Sequence, residues 1–297
     1  MSEVIEKRID EHAEFLREYV KLQLWFIWNW LHTHPSEDFT FVIRNRVDIY
    51  RKTNLNPGLS KNTPTPGDFS LPQWRQLERA MEIVFHKSKS TSAEVFENEA
   101  WRLLRPFVEA RVERDFREGN GLDNYQCGSL RYDVPRRLLG YRLTAWLHYL
   151  LIGAPRCISF HIGNRIAPRS FFDDPSYLPK CFFQLMEETQ RKFYAGGLTI
   201  KTWLNSYPPW LELFPKEWLN NMSPPDEGVG WSQLYWGQFI TSRGTFNYKH
   251  ARMFRESGVL PHKPRRSWCT FNSLAAHLHM YLSKVQGKSI RVSPTEV

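Results

Sequence analysis

The chain has 297 residues, of which 41% are hydrophobic and 15% aromatic, and this composition indicates a folded protein with a substantial core rather than a disordered one. No apolar run reaches the roughly 18–20 residues that a membrane span requires, and the N-terminus lacks the basic and apolar regions of a secretory signal. The four cysteines are widely spaced and form no CxxC pair, which favours free thiols over a disulfide framework or a zinc site. We therefore expect a cytoplasmic protein without a membrane partner.

The positive charge of the chain is concentrated near its C-terminus. The formal net charge is +9, and residues 241–297 supply +8 of it, with ten lysines and arginines against two acids. A basic field of this kind raises the local concentration of anions. A solvated, solubilising surface explains the same residues equally well, so the positive charge alone does not identify a binding partner.

The first 120 residues are predicted to be helical. Apolar residues recur every three or four positions with charged residues between them, which is the period of an amphipathic helix. A stretch rich in proline and glycine, 53–70, is expected to be a surface loop or linker. Pro106 falls inside the last helix and predicts a kink or a break. The predicted helices cover residues 3–33, 37–52, 71–87 and 91–117, the last opened by a capping box at 91–94.

From residue 121 onward the pattern changes to strands that alternate with helices. The predicted strands are 129–133, 157–162, 198–204 and 233–240, and the predicted helices are 135–152, 177–194, 209–220, 247–256 and 267–285. This alternation indicates parallel βαβ units. We therefore expect a mixed α/β protein, in which a helical region, 1–120, packs on a smaller α/β region, 121–297, to form one compact unit. The sheet should be short and mainly parallel, or part of a barrel.

The stretch 156–174 is the centre of the predicted site. Its apolar run ends abruptly in polar residues and a turn, as in strands that deliver side chains to the carboxyl edge of a sheet. We expect Ile158–His161 and Thr199–Trp203 to be neighbouring parallel strands joined by the helix 177–194. Polar residues near the ends of the predicted strands should then meet at one edge, and these are Asp133, His161, Asn164, Asn205 and Gln238.

His161 is the predicted acid–base group, because imidazole titrates nearest to neutral pH, and Asp133 would orient its ring. Asn164, Asn205 and Gln238 would position a polar substrate without changing their ionisation. A histidine at the end of a strand is more often a hydrogen-bonded structural residue. The catalytic interpretation therefore depends on the convergence of these side chains at one edge.

The basic residues beyond position 241 allow two interpretations. They could form a pocket for the phosphate or carboxylate of a small metabolite, with arginines making forked contacts. Because aromatic residues interleave with them, the segment 241–291 could instead bind nucleic acid. The leading prediction is an enzyme that acts on a small anionic metabolite. The alternative is a nucleic-acid-binding protein, and a third is an interaction module using tryptophan-rich faces. The candidate anion-binding arginines are Arg252, Arg255, Arg265 and Arg266.

Motifs for common cofactors and metals are absent from the sequence, which contains no GxGxxG, GxxxxGK[ST], HExxH, EF-hand loop or GxSxG elbow. Two His-x-His pairs, at 32–34 and 277–279, are better explained by a helix C-terminus and by different helix faces than by metal ligation. The sequence thus predicts no metal site. It leaves the cofactor, the reaction type and the oligomeric state open.

Overall fold

The computed structural model describes residues 3–56, 69–118, 126–127, 129–133, 156–166 and 169–290. The chain divides into two compact units. The helical unit comprises Met1–Gly121 and Glu227–Pro261, and the sheet unit comprises Leu122–Asp226 and His262–Val297. The chain first passes from one unit to the other close to the expected boundary at residue 120, but residues 227–261, expected in the α/β region, belong to the helical unit. The predicted helix 135–152 and most of the predicted loop 53–70 lie outside the described residues.

The helices of the N-terminal region largely follow the predicted periodicity. The predicted helix 37–52 is shorter than expected: Asp38 caps its start by accepting a hydrogen bond from Phe41 N at 2.6 Å, and only a 3₁₀ turn, Tyr50–Lys52, follows its end. The last helix continues through Pro106, so of the predicted kink or break, the break is wrong. The observed helices are α1, Glu3–Thr33; α2, Phe39–Asn45; α3, Pro72–Ser88; and α4, Ala93–Glu118.

The segment 227–261 completes the core of the helical unit. Trp236 is fully buried, its ring lies 5.4 Å from that of Phe26, and its indole Nε1 donates to Arg46 O at 2.9 Å. The predicted strand 233–240 is wrong, because these residues form a short helix and a 3₁₀ turn that bury aromatic side chains in the core. The elements of this segment are α8, Gln233–Trp236; the 3₁₀ turn Gly237–Phe239; and α9, Tyr248–Ser257.

The sheet unit contains one five-stranded sheet in the order β1-β2-β3-β4-β5. β3 and β4 are parallel neighbours joined through a helix, as predicted, whereas the other three described pairings are antiparallel. The coarse prediction of a mixed α/β fold is confirmed, but the mainly parallel sheet is wrong. Among the described residues the sheet is open, with β1 and β5 at its ends, so they do not form the predicted part of a barrel. The strands are β1, Gln126–Cys127; β2, Leu130–Tyr132; β3, Cys157–Ile162; β4, Gly197–Thr202; and β5, Arg265–Thr270.

One face of this sheet is covered by the second hydrophobic core of the protein. Phe160 on β3 and Leu198 on β4 pack with Phe182 and Leu185, all four fully buried. Residues 267–270 of β5 were predicted to begin the final helix. The antiparallel pairing of β5 with β4 was therefore not predicted. The helices of this unit are α5, Tyr177–Phe193; α6, Pro208–Leu211; α7, Lys216–Asn220; and α10, Phe271–Ile290.

Candidate functional site

The face of the sheet opposite this core carries polar side chains. Successive residues of a strand point to opposite faces, so the burial of Ile158 and Phe160 turns Ser159 and His161 the other way. On β4 the same alternation separates the buried Leu198 and Ile200 from Thr199 and Lys201, which are half-buried. We call the face that carries Ser159, His161, Thr199 and Lys201 the polar face.

Four basic side chains lie on the polar face, one from each of the strands β2 to β5. Arg131 on β2 pairs with His161 on β3, and Lys201 on β4 pairs with Arg266 on β5. The β3–β4 pairing ends at Ser159 and Thr199, and His161 and Lys201 each lie two residues beyond that last pair, on the same face. Four strands about 4.8 Å apart span about 14 Å. We call Arg131, His161, Lys201 and Arg266 the basic row.

A second row of side chains runs parallel to the basic row. Asp133 N donates to Ser159 O at 2.9 Å, Ser159 pairs with Thr199, and Thr199 pairs with Trp268 on β5. Trp268 is two residues from Arg266 and therefore lies on the same face, where its ring is half-buried. The polar face thus combines a line of cations with an adjacent indole ring.

His161 and Asp133 form a hydrogen-bonded pair on this face. Asp133 Oδ1 accepts a hydrogen bond from His161 Nε2 at 2.8 Å, and about half of each side chain is exposed, 54% and 51%. Because Nε2–H donates to the carboxylate, the lone pair of the neutral ring is on Nδ1. Partial burial acts to raise the pKa of Asp133, but the hydrogen bond and charge of His161, with Ser159 and Arg131, lower it overall. Asp133 is therefore ionised at neutral pH and fixes the tautomer that a proton acceptor needs.

Asn205, a predicted substrate-binding residue, is instead a buried structural residue. Its Nδ2 donates to Ile200 O and Arg265 O at 3.2 and 2.8 Å, and its Oδ1 accepts from the indole Nε1 of Trp210 and Trp218 at 3.1 and 3.3 Å. The side chain is fully buried and points into the core of the sheet unit. Both N–H donors and the oxygen of its amide are therefore occupied by hydrogen bonds within the protein.

Neither Asn164 nor Gln238 is a residue of the polar face. Asn164 Nδ2 donates to Arg169 O at 2.6 Å and its Oδ1 accepts from Ile166 N at 3.2 Å, so the amide orders the loop after β3. Gln238 is fully buried in the helical unit and donates to Tyr235 O at 2.8 Å. The predicted edge with all five polar residues is therefore wrong, although His161 and Asp133 do meet.

The four predicted anion-binding arginines are divided between the two units. Arg252 and Arg255 belong to the helical unit, where they line a shallow cavity of about 330 Å³. There Arg255 Nη1 donates to Glu97 Oε2 at 2.8 Å. Arg265 and Arg266 are neighbours on β5 and point to opposite faces, and Arg265 Nε donates to the backbone oxygen of residue 223. Of the four, only Arg266 joins the basic row.

The described thiols are poor nucleophiles. Burial raises the pKa of the thiols of Cys157, Cys181 and Cys269, that of Cys157 to about 11. Thiolates, not thiols, attack or bind metals, so these groups do not suit covalent chemistry at neutral pH. Among the described residues, no group of three or more His, Cys, Asp or Glu side chains is placed to hold a metal ion.

Sequence reasoning did not identify the three residues that, with His161 and Arg266, give the polar face its cations and its aromatic ring: Arg131, Lys201 and Trp268. Arg131 and Lys201 lie within predicted strands, and alternation along those strands was a usable signal for their orientation. Trp268 gave no such signal, because its strand was interpreted as a helix.

Comparison with known proteins provides no relative from which a function could be transferred. No protein-family model, curated protein or solved structure matches this chain. Within the part of the chain that the structure describes, no helix has both the length and the apolar character to cross a membrane. The functional argument therefore depends on the geometry of the polar face.

Proposed function

We propose that the sheet unit binds single-stranded nucleic acid on its polar face. The observation that carries the proposal is the position of Arg131, His161, Lys201 and Arg266 on one face of four adjacent strands. A nucleic-acid strand carries one phosphate per about 3.4 Å when stacked, so a row of about 14 Å is long enough to meet several phosphates.

Trp268 supplies the second element of such a surface. Single-stranded nucleic acid is bound by grooves that combine cations for the backbone with aromatic rings for the bases. The half-buried ring of Trp268 lies on the polar face beside Arg266 and Lys201. Stacking of one base on such a ring contributes about 1–3 kcal/mol and tolerates any base, because every base has a π face.

The acids on this surface limit the expected affinity. Lys201 Nζ donates to Asp226, and Asp133 accepts from His161. Three permanent cations and two carboxylates leave one net positive charge before His161 is protonated. Each phosphate contact with a single strand contributes about −0.7 to the log–log salt slope, so contacts by the three permanent cations give a modest slope of about −2. Because the two carboxylates oppose these contacts, we expect weak binding at physiological salt.

Fluorescence anisotropy with labelled oligo-dT and oligo-U at several salt concentrations tests the proposal. The double variant Arg131→Ala/Arg266→Ala should weaken binding about tenfold in low salt and make the salt slope about 1.4 less negative, because two phosphate contacts are lost. The matched control is Lys180→Ala/Arg191→Ala, which removes the same charge from exposed positions of α5, behind the opposite face of the sheet. Equal losses in both variants, or no binding by the unmodified protein in low salt, would refute the proposal.

Acid–base catalysis on a small anionic metabolite is the second candidate function. The observation in its favour is the 2.8 Å hydrogen bond between His161 and Asp133, with Arg131 and Lys201 on the neighbouring strands to hold an anion. NMR titration of the histidine resonances with inorganic phosphate and with oligonucleotide separates the candidates. Saturable shifts of His161 with phosphate alone, unaffected by oligonucleotide, would favour the metabolite enzyme. In a turnover assay, His161→Ala should then lower the rate by roughly 10²–10⁴-fold with little change in the thermal midpoint.

A further inference from the structure

Four aromatic rings form a continuous cluster where β3 and β4 end. The centroid of the Tyr207 ring lies 5.6 Å from those of Phe172 and His262. Trp203 and His262 stack with centroids 5.8 Å apart and an interplanar angle of 26°. All four side chains are half-buried. We call Phe172, Trp203, Tyr207 and His262 the strand-end cluster.

The strand-end cluster borders the basic row. Trp203 directly follows β4 and is two residues beyond Lys201, while His262 precedes β5, whose first residue pairs with the last residue of β4. Trp268 lies beside Thr199, on the other side of the row. Trp203 lies four positions after Thr199, which is a distance of about 13 Å along an extended strand. Aromatic rings therefore flank the basic row on both sides.

The rings of the strand-end cluster are held in place by the core of the sheet unit and by a hydrogen bond between the segments that carry them. Phe172, Trp203 and Tyr207 pack against the core of the sheet unit while remaining partly exposed. Ser206 Oγ donates to Lys263 O at 2.6 Å, which ties the segment that carries His262 to the turn that carries Trp203. A ring with one side fixed by the core and another in water is preorganised for stacking, because little side-chain entropy is lost on binding.

We infer that the strand-end cluster is a second base-stacking subsite, so that a bound strand runs from Trp268 across the basic row to Trp203 and His262. This inference rests on the proposed binding of nucleic acid. It names the ligand more closely, as an unpaired strand long enough to reach both aromatic sites. Duplexes are excluded from full binding, since their bases are already stacked and paired.

A length series of oligonucleotides, from two to ten residues, tests the second subsite by anisotropy. Affinity should rise steeply at the length that first reaches both aromatic sites. Trp203→Leu, which keeps apolar packing against the core but removes the flat ring, should remove about a tenfold gain for long strands while leaving short strands and the salt slope unchanged. The matched control is Phe183→Leu, a partly buried aromatic residue of α5 that packs against the same core. His262→Ala should repeat the effect of Trp203→Leu, and thermal midpoints establish that the variants are folded.

The outcomes separate the two proposals. If Trp203→Leu and His262→Ala bind every length as the unmodified protein does, while Arg131→Ala/Arg266→Ala still weakens binding, the second subsite is wrong and the proposed function stands. The second subsite is also wrong if an oligonucleotide with abasic residues at one end binds as tightly as the intact strand. If no oligonucleotide of any length binds in low salt, both proposals fail.

Discussion

At the scale of single residues, Asn205 shows that the same side chain can suggest a site from sequence and serve the core in the structure. It follows a strand, as predicted, but its amide makes four hydrogen bonds inside the sheet unit. A buried amide is tolerated only when its donors and acceptors are satisfied, and two tryptophan indoles supply part of that satisfaction. His161 at the end of the neighbouring strand is instead half-exposed and remains available to a ligand.

Replacing Asn205 by Ala should lower the free energy of unfolding by about 3 kcal/mol or more, because two buried indole N–H groups lose their acceptor and two carbonyls lose their donor. His161→Ala is the control, and should cost less than about 1 kcal/mol because its pair with Asp133 is exposed to solvent. Urea denaturation measures both values. If the Asn205→Ala protein were as stable as the unmodified chain but deficient in ligand binding, Asn205 would be a binding residue and not a structural one.

At the scale of secondary-structure elements, Gly197 is explained by contact between strands rather than by a helix end. Adjacent glycines such as Gly196 and Gly197 often end a helix, but α5 ends earlier, at Phe193, and its C-cap Tyr194 adopts a left-handed φ of 53°. Gly197 begins β4 between β3 and β5, and a Cβ there would lie 2.7 Å from both Cys157 Sγ and Cys269 O.

Gly197→Ala should therefore destabilise the protein by about 1–3 kcal/mol, since the backbone oxygen of Cys269 cannot move without disturbing the β4–β5 pairing. Gly163→Ala is the matched substitution, because a Cβ at that position meets nothing within 4 Å. Chemical denaturation compares the two. Adding Cys157→Ala to Gly197→Ala should restore only part of the loss, as one of the two contacts remains; full restoration would show that the thiol alone is responsible.

At the scale of the whole molecule, the order of the chain does not match the order of its units. Residues 227–261 follow the sheet unit in sequence, yet their buried side chains complete the helical core. Trp236 packs there, whereas Trp210 is fully buried in the core of the sheet unit. Each unit thus has a hydrophobic core of its own, which is the physical basis for a separate cooperative unit.

Two substitutions should distinguish these cores. Removing a buried tryptophan costs about 3–5 kcal/mol, so Trp236→Ala and Trp210→Ala should each destabilise the unit that contains the ring. Hydrogen exchange read by mass spectrometry should show faster exchange in 3–118 and 227–261 for Trp236→Ala. For Trp210→Ala the faster exchange should fall in 156–226 and 262–290. Equal acceleration in both regions by either variant would contradict two separate cores.

The sequence by itself determined the elements whose patterns are long and local. The apolar period of 3–33 predicted α1 to the residue, and the short apolar runs before His161 and Asn205 predicted the parallel pair β3 and β4. It also predicted that His161 and Asp133 meet, but as carboxyl ends of parallel strands, whereas they meet across the antiparallel pair β2 and β3. These features depend on residues close in sequence, whose spacing is visible without a structure.

Only the tertiary structure decided which residues share the polar face. Arg131, His161, Lys201 and Arg266 come from four segments, and the pairing of the strands, not their spacing in sequence, brings them to one face. Short segments are ambiguous in sequence. Residues 233–240 form helical turns instead of the predicted strand, and residues 265–270 form a strand. The reason is that burial against distant partners outweighs the small local preference of a few residues for strand or helix.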